Sequence, residues 1–153
     1  MHNIAMQSTE ALGRCHCGNI KLHLRFAGPL QDIRPRTCDC SFCRLHCASY
    51  VSDPRGSLRI EVAREPDLGR YKQGGELADM LICRRCGVFV GAEFQYEDCA
   101  YATINVRVLD GSLQFAAAQI VSPQKLPPAE KVARWQQLWF ARVHIAFSQC
   151  LCP

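Results

Sequence analysis

The sequence predicts a mainly β domain closed by one amphipathic helix near its C terminus. Three observations predict it. Several segments alternate apolar and charged residues at period two, seven of the eleven cysteines fall into three tight clusters, and the last thirty residues switch to helical apolar spacing. The chain has 153 residues, 48% hydrophobic and 21% charged, which are ordinary values for a single globular domain.

Taken in order, Met1–Leu12 shows no clear periodicity and reads as a loose tail. Ile20, Leu22, Leu24 and Phe26 alternate with Lys21, His23 and Arg25, the pattern of a half-buried strand. Leu58, Ile60 and Val62 repeat it against Arg59 and Glu61. The apolar run Val88–Phe94 reads as another strand. Ile104, Val106 and Val108 form a further one, followed by Asp110-Gly111 as a hairpin turn signal. Pro127-Pro128 then breaks the chain. From Ala129 onward Val132, Trp135, Leu138, Trp139 and Val143 share one helical face, expected to lay two tryptophans over the sheet. The division expected is a tail over 1–12, a metal-binding domain over 13–122, and a helical extension over 123–153 packing on that domain.

The formal charge is +4 with every cysteine neutral. Seven metal-bound thiolates and two zinc ions would bring that to about +1, so the basic balance argues against a nucleic-acid partner. Residues 1–14 lack a charged segment followed by an apolar stretch, and no run of eighteen apolar residues occurs. An odd cysteine count with CxC and CxxC spacings points to reduced thiols, hence to a cytoplasmic protein without a membrane partner.

The clusters are Cys15-His16-Cys17-Gly18, Cys38-Asp39-Cys40-Ser41-Phe42-Cys43 and Cys83-Arg84-Arg85-Cys86-Gly87. Structural zinc takes four thiolates, whereas a reactive zinc keeps three protein ligands and an open position. Cys17 and Cys86 are each followed by glycine, the residue that adopts positive φ without steric cost and lets backbone N–H groups face the sulfurs. Cys15, Cys17, Cys83 and Cys86 therefore read as two half-sites of one closed tetrahedron. Cys38, Cys40 and Cys43 remain as an open trio. Its nearest candidate fourth ligands are Asp39, His46 and Cys47. Asp39 should point away, and Cys47 could close the site if its segment is helical, which would make both zincs structural.

These clusters, with Gly13-Arg14 and Asn19-Ile20 around the first, Arg44 after the second, Leu68-Gly69-Arg70-Tyr71, and Ile104-Asn105-Val106-Arg107-Val108-Leu109-Asp110, resemble the glutathione-dependent formaldehyde-activating (GFA) or CENP-V-type domain family over about Gly13 to Gly111. The resemblance implies an Mss4-like β fold. It implies a structural zinc on Cys15, Cys17, Cys83 and Cys86, and an active-site zinc on Cys38, Cys40 and Cys43. It also implies a carbon–sulfur lyase or synthase reaction joining formaldehyde and glutathione into S-hydroxymethylglutathione. Cys47 and the tail Pro123–Pro153, ending Cys150-Leu151-Cys152, depart from the family pattern.

Three thiolates on Zn²⁺ leave a net charge of −1, a soft centre suited to an incoming thiol rather than to water activation. Expected partners are thus a small-molecule thiol, glutathione or another, and an aldehyde. Arg34, Arg36 and Arg44 flank the trio, and Arg44 is the candidate for offsetting its charge or gripping a substrate carboxylate. His46 is a candidate proton shuttle and Tyr71 a candidate pocket residue. His16, Arg84 and Arg85 read as solvated, Cys99 as buried, and Cys150 and Cys152 as inert. The competing functions are a non-catalytic interaction module with two structural zincs and a thiol sensor. The oligomeric state is not encoded legibly.

Overall fold

In the computed structural model, residues 7–148 are described, so Cys150 and Cys152 lie outside the described residues. The chain folds into two β-sheets with a helix on the far side of the larger one. No described helix is long and apolar enough to cross a membrane.

The smaller sheet contains β1 (Thr9–Arg14), β2 (Ile20–Phe26), β5 (Ser57–Val62) and β11 (Val143–Phe147), in the order β1-β2-β5-β11. β2 and β5 are the two alternating segments, and their apolar residues are buried while their charged residues face solvent. β1 begins inside the stretch expected to be a loose tail. Its buried positions are Ala11 and Gly13, too small to produce an apolar alternation in the sequence, and its stability comes from antiparallel pairing with β2.

The larger sheet runs β10 (Gln119–Val121), β3 (Arg36–Cys38), β4 (Ser49–Val51), β9 (Cys99–Asn105), β8 (Phe89–Tyr96), β7 (Asp79–Cys83) and β6 (Leu68–Lys72). All neighbours are antiparallel except β10, which pairs parallel with β3. Phe89 to Phe94 is buried without alternation because this sheet is covered on both faces. One face meets the smaller sheet, with Ile20, Leu24, Phe26, Ile60, Leu81, Val90 and Ile104 in the shared core. The other face carries Met80, Ala92 and Phe94 beneath α2 (Pro128–Leu138).

Two expected elements change shape. The strand expected over 104–108 ends at Asn105, whose side chain accepts from the Arg107 N–H at 3.2 Å and donates to the Phe89 carbonyl at 3.2 Å. That cap turns Val106–Val108 into a 3-10 turn. Gly111 has φ +80, but the chain beyond it runs irregularly to β10 rather than returning as a hairpin. The helix expected from Ala129 through Val143 stops at Leu138. Trp139 is extended, Phe140 bridges to Ala102, and Val143 starts β11 in parallel register with Leu58. Cys99 is exposed, correcting its expected burial, because it opens β9 just past the Glu97-Asp98 hairpin tip.

Candidate functional site

The two expected half-sites face each other. The Cys15 N–H bonds the Ile20 carbonyl at 3.0 Å and the Cys83 N–H bonds the Val88 carbonyl at 3.0 Å, so each first cysteine closes a loop onto the residue five positions on. Within each loop Gly18 and Gly87 take φ +80 and +79. The Ile20 N–H also points at Cys15 Sγ at 3.2 Å, the donor expected for a thiolate. The loops lie at the β1–β2 and β7–β8 turns, so the four sulfurs join the two sheets. Cys15 and Cys83 are fully buried.

Spacing tests whether this group fits zinc. A tetrahedral ion with Zn–S of about 2.3 Å requires sulfurs about 3.8 Å apart. Cys15–Cys17 and Cys17–Cys83 are each 3.7 Å, and all four sulfurs lie within 4.8 Å of one another. The donor set and spacing suit zinc, and none of the four lines the cavity described below.

Cys38, Cys40 and Cys43 form the other group, again with sulfurs within 4.8 Å of one another. Cys38 ends β3, and Cys40 caps α1 (Ser41–Leu45) by accepting from the Cys43 N–H at 3.4 Å. This one-turn helix is what folds three cysteines of a six-residue stretch onto one point. Cys47 does not join them: it is exposed, in the left-handed region at φ 48, just past the helix. Asp39 also stays outside the group, its Oδ2 accepting from Ser122 Oγ, a bond that holds its carboxyl below the usual value.

The trio lies in the wall of a cavity of about 110 Å³. Sheet register assembles its floor. Arg36 pairs with Tyr50, and Met80, Ala92 and Thr103 sit in one cross-strand row. Directly paired residues project from the same face, so all five side chains line the cavity with Cys38. Lys131, Arg134, Trp135 and Trp139 form the opposite wall. The tryptophans do cover the sheet as expected, stacked with centroids 4.8 Å apart and Phe94 edge-on to Trp135. They also enclose the site, which their helical spacing could not reveal.

Arg44, the arginine favoured on sequence grounds, is exposed and absent from the cavity wall. In α1 Cys43 faces inward, whereas Ser41, Arg44 and Leu45 face solvent. Arg36 occupies the interior instead, its Nη2 donating to Ser52 Oγ at 2.6 Å and Thr103 Oγ1 at 3.2 Å. Ser52 Oγ in turn donates to the Leu138 carbonyl at 2.6 Å, which ties the end of α2 to the sheet. Arg34 is exposed. His46 packs on Phe42 and Phe89, with centroids 4.6 and 5.1 Å away, and Tyr71 is half-exposed beside Phe42; neither lines the cavity. His16, Arg84 and Arg85 are exposed, as expected.

Tyr50 had no marker in the sequence. Its hydroxyl lies 3.0 Å from Cys43 Sγ, and burial pushes its ionisation well above the ordinary value, so it stays a donor. Cys43 is held protonated, whereas Cys38, accepting from the Cys43 thiol, falls to about 6. A metal held by Cys38, Cys40 and Cys43 would take all three as thiolates in place of that shared proton.

One motif residue outside the cysteines ties strands together. Arg70 bridges β6, β7 and β8 by bonding Asp79 and the buried Glu93.

A family model described as glutathione-dependent formaldehyde-activating enzyme matches residues 10–125. No curated protein matches the chain significantly. A crystal structure of a Rhodobacter sphaeroides protein is similar at 27% identity and TM-score 0.53, covering 71% of this chain and 99% of that one. The two cysteine groups and the family match over most of the chain agree: the protein belongs to the glutathione-dependent formaldehyde-activating enzyme family.

Proposed function

We propose that the protein is a zinc-dependent carbon–sulfur lyase or synthase acting on the adduct of a thiol, glutathione or another, with formaldehyde or a small aldehyde. In the synthetic direction the thiol sulfur adds to the carbonyl carbon, one S–C bond forms, and the thiol proton ends on the carbonyl oxygen. The lyase direction reverses these steps. The observation that carries this reading is the unequal placement of the two groups: four sulfurs join the sheets outside the cavity, while three sulfurs line it.

Zinc held by Cys38, Cys40 and Cys43 would supply a soft acceptor at which an incoming thiol loses its proton. The chain's own groups do the rest. Tyr50 donates to Cys43 Sγ and disperses the charge of the trio. Arg36 places a permanent cation in the same cavity. Met80, Ala92, Trp135 and Trp139 keep its walls apolar, which strengthens each of those electrostatic contacts. Cys47, outside the trio, argues against the reading in which both sites are closed and structural.

Exchange NMR of glutathione with formaldehyde, with and without the zinc-loaded protein, tests the proposal. Faster exchange between free and hydroxymethylated thiol is expected. No acceleration at stoichiometric protein removes the formaldehyde reaction and leaves the fold and metal sites standing.

A further inference from the structure

Among the described residues the cavity wall contains three cations, Arg36, Lys131 and Arg134, and no carboxylate. Arg36 is only 8% exposed, and among the described residues it takes part in no ion pair. Both of its hydrogen bonds leave through Nη2, so two guanidinium nitrogens have no partner in the described protein while the side chain lines the cavity. Donors of a largely buried cation that are left free toward a cavity favour an anion there.

Arg134 sharpens the demand. Arg134, on α2, lines the same cavity as Arg36. Two guanidinium groups facing one largely apolar cavity make a fork for a carboxylate. The charges agree: three thiolates with Zn²⁺ carry −1 and the three wall cations +3, leaving about +2. A bound thiolate supplies one negative charge, and a carboxylate on the same molecule supplies the second.

Strand geometry limits where that carboxylate sits. Arg36 and Cys38 are two positions apart on β3 and project from the same face, which separates their Cα atoms by about 7 Å. In glutathione the sulfur-bearing residue is amide-bonded on both sides, so neither carboxylate lies close to the sulfur.

We propose that the cavity selects a compact thiol with its own carboxylate a few bonds from the sulfur, the carboxylate being held by Arg36 and Arg134. The proposal rests on the reading that the trio receives a thiol, and it makes the two arginines the residues that decide which one.

Calorimetric titration of the zinc-loaded protein tests it, with 3-mercaptopropionate and its uncharged amide as the probes. The carboxylate should bind at least about tenfold more tightly than the amide, the lower end for a hydrogen bond to a charged group. In Arg134→Met, a half-buried position on α2, and in Arg36→Lys, which keeps the charge but loses the fork, that ratio should fall toward one. Circular dichroism establishes that each variant is folded, and Arg134→Met carries the test if the buried position does not tolerate lysine. Equal binding of both thiols to the unaltered protein overturns the carboxylate subsite and leaves the thiol site intact. A preference that survives unchanged in the folded variants overturns the assignment to these arginines. If neither thiol binds, this inference and the thiol chemistry beneath it fall together.

Discussion

Replacing Tyr50 with Phe isolates a single bond at the three-cysteine group. The ring stays, along with its edge contact to Phe89 at 6.1 Å, and only the hydroxyl 3.0 Å from Cys43 Sγ is lost. Burial keeps that hydroxyl protonated, so it can donate to a Cys43 thiolate, which has no proton to give. A hydrogen bond to a charged partner contributes roughly 1.5–3 kcal/mol, and each 1.4 kcal/mol is about tenfold in affinity. Zinc affinity at the trio should therefore drop about ten- to a hundredfold. The four-cysteine group shares no residue with Tyr50 and should be unaffected. Titration with a competing chelator, following release of each ion, reads both sites in one experiment. Superimposable release curves for Tyr50→Phe and the unaltered protein would refute the claim that this phenol supports the thiolates.

Three further outcomes follow from the same geometry. Ser52→Ala leaves an Arg36 donor and the Leu138 carbonyl without their partner, which should cost about 1–3 kcal/mol and speed amide exchange at the end of α2; unchanged exchange there means the serine is no tether. Gly87→Ala meets nothing within 4 Å, so its cost is the positive φ alone, about 1–2 kcal/mol by denaturant titration; equal or greater stability contradicts the knuckle geometry. With metal withdrawn from the trio, Cys38 titrates at about 6 against an ordinary 9.0, because the Cys43 thiol donates to it. Its folded value lies below its unfolded one, so its contribution is complete above about pH 9 and is lost as pH falls through about 6. Cys43 stays protonated across that window, so ultraviolet thiolate absorbance and stability should decline together; a thiolate midpoint near 9 rules this out.

Local signals were readable in the sequence, and non-local ones were not. Ile20–Phe26 and Leu58–Val62 announce themselves because one face is buried and the other solvated. The four-plus-three sorting of cysteines is legible because Gly18 and Gly87 mark two loops of the same shape. Both features depend only on residues a few positions apart. β1 and β10 are edge strands whose pairing is set by a neighbour rather than by their own composition. Val143 falls on the helical period of α2 by coincidence, and its place in β11 depends on β5, some eighty residues earlier.

The cavity shows the same limit. Arg44 adjoins Cys43 in sequence but faces solvent, while Arg36 reaches the interior through the period of β3 and the register with β4. Tyr50 carries no motif and becomes significant only when β4 brings it beside Cys43. Trp135 and Trp139 look like ordinary core residues in a helix, and are, yet the face they cover is the one holding the trio. A chemically typed cluster can be recognised from spacing, but the groups around it arrive from β4, β7, β8, β9 and α2.

Metal analysis during stepwise chelation tests the central claim most directly. Two zinc ions per chain are expected, the first leaving under mild chelator with circular dichroism unchanged and the second leaving only as the domain unfolds. Two ions that leave together, or a fold that outlasts the loss of both, would contradict the division into one closing site and one reactive site.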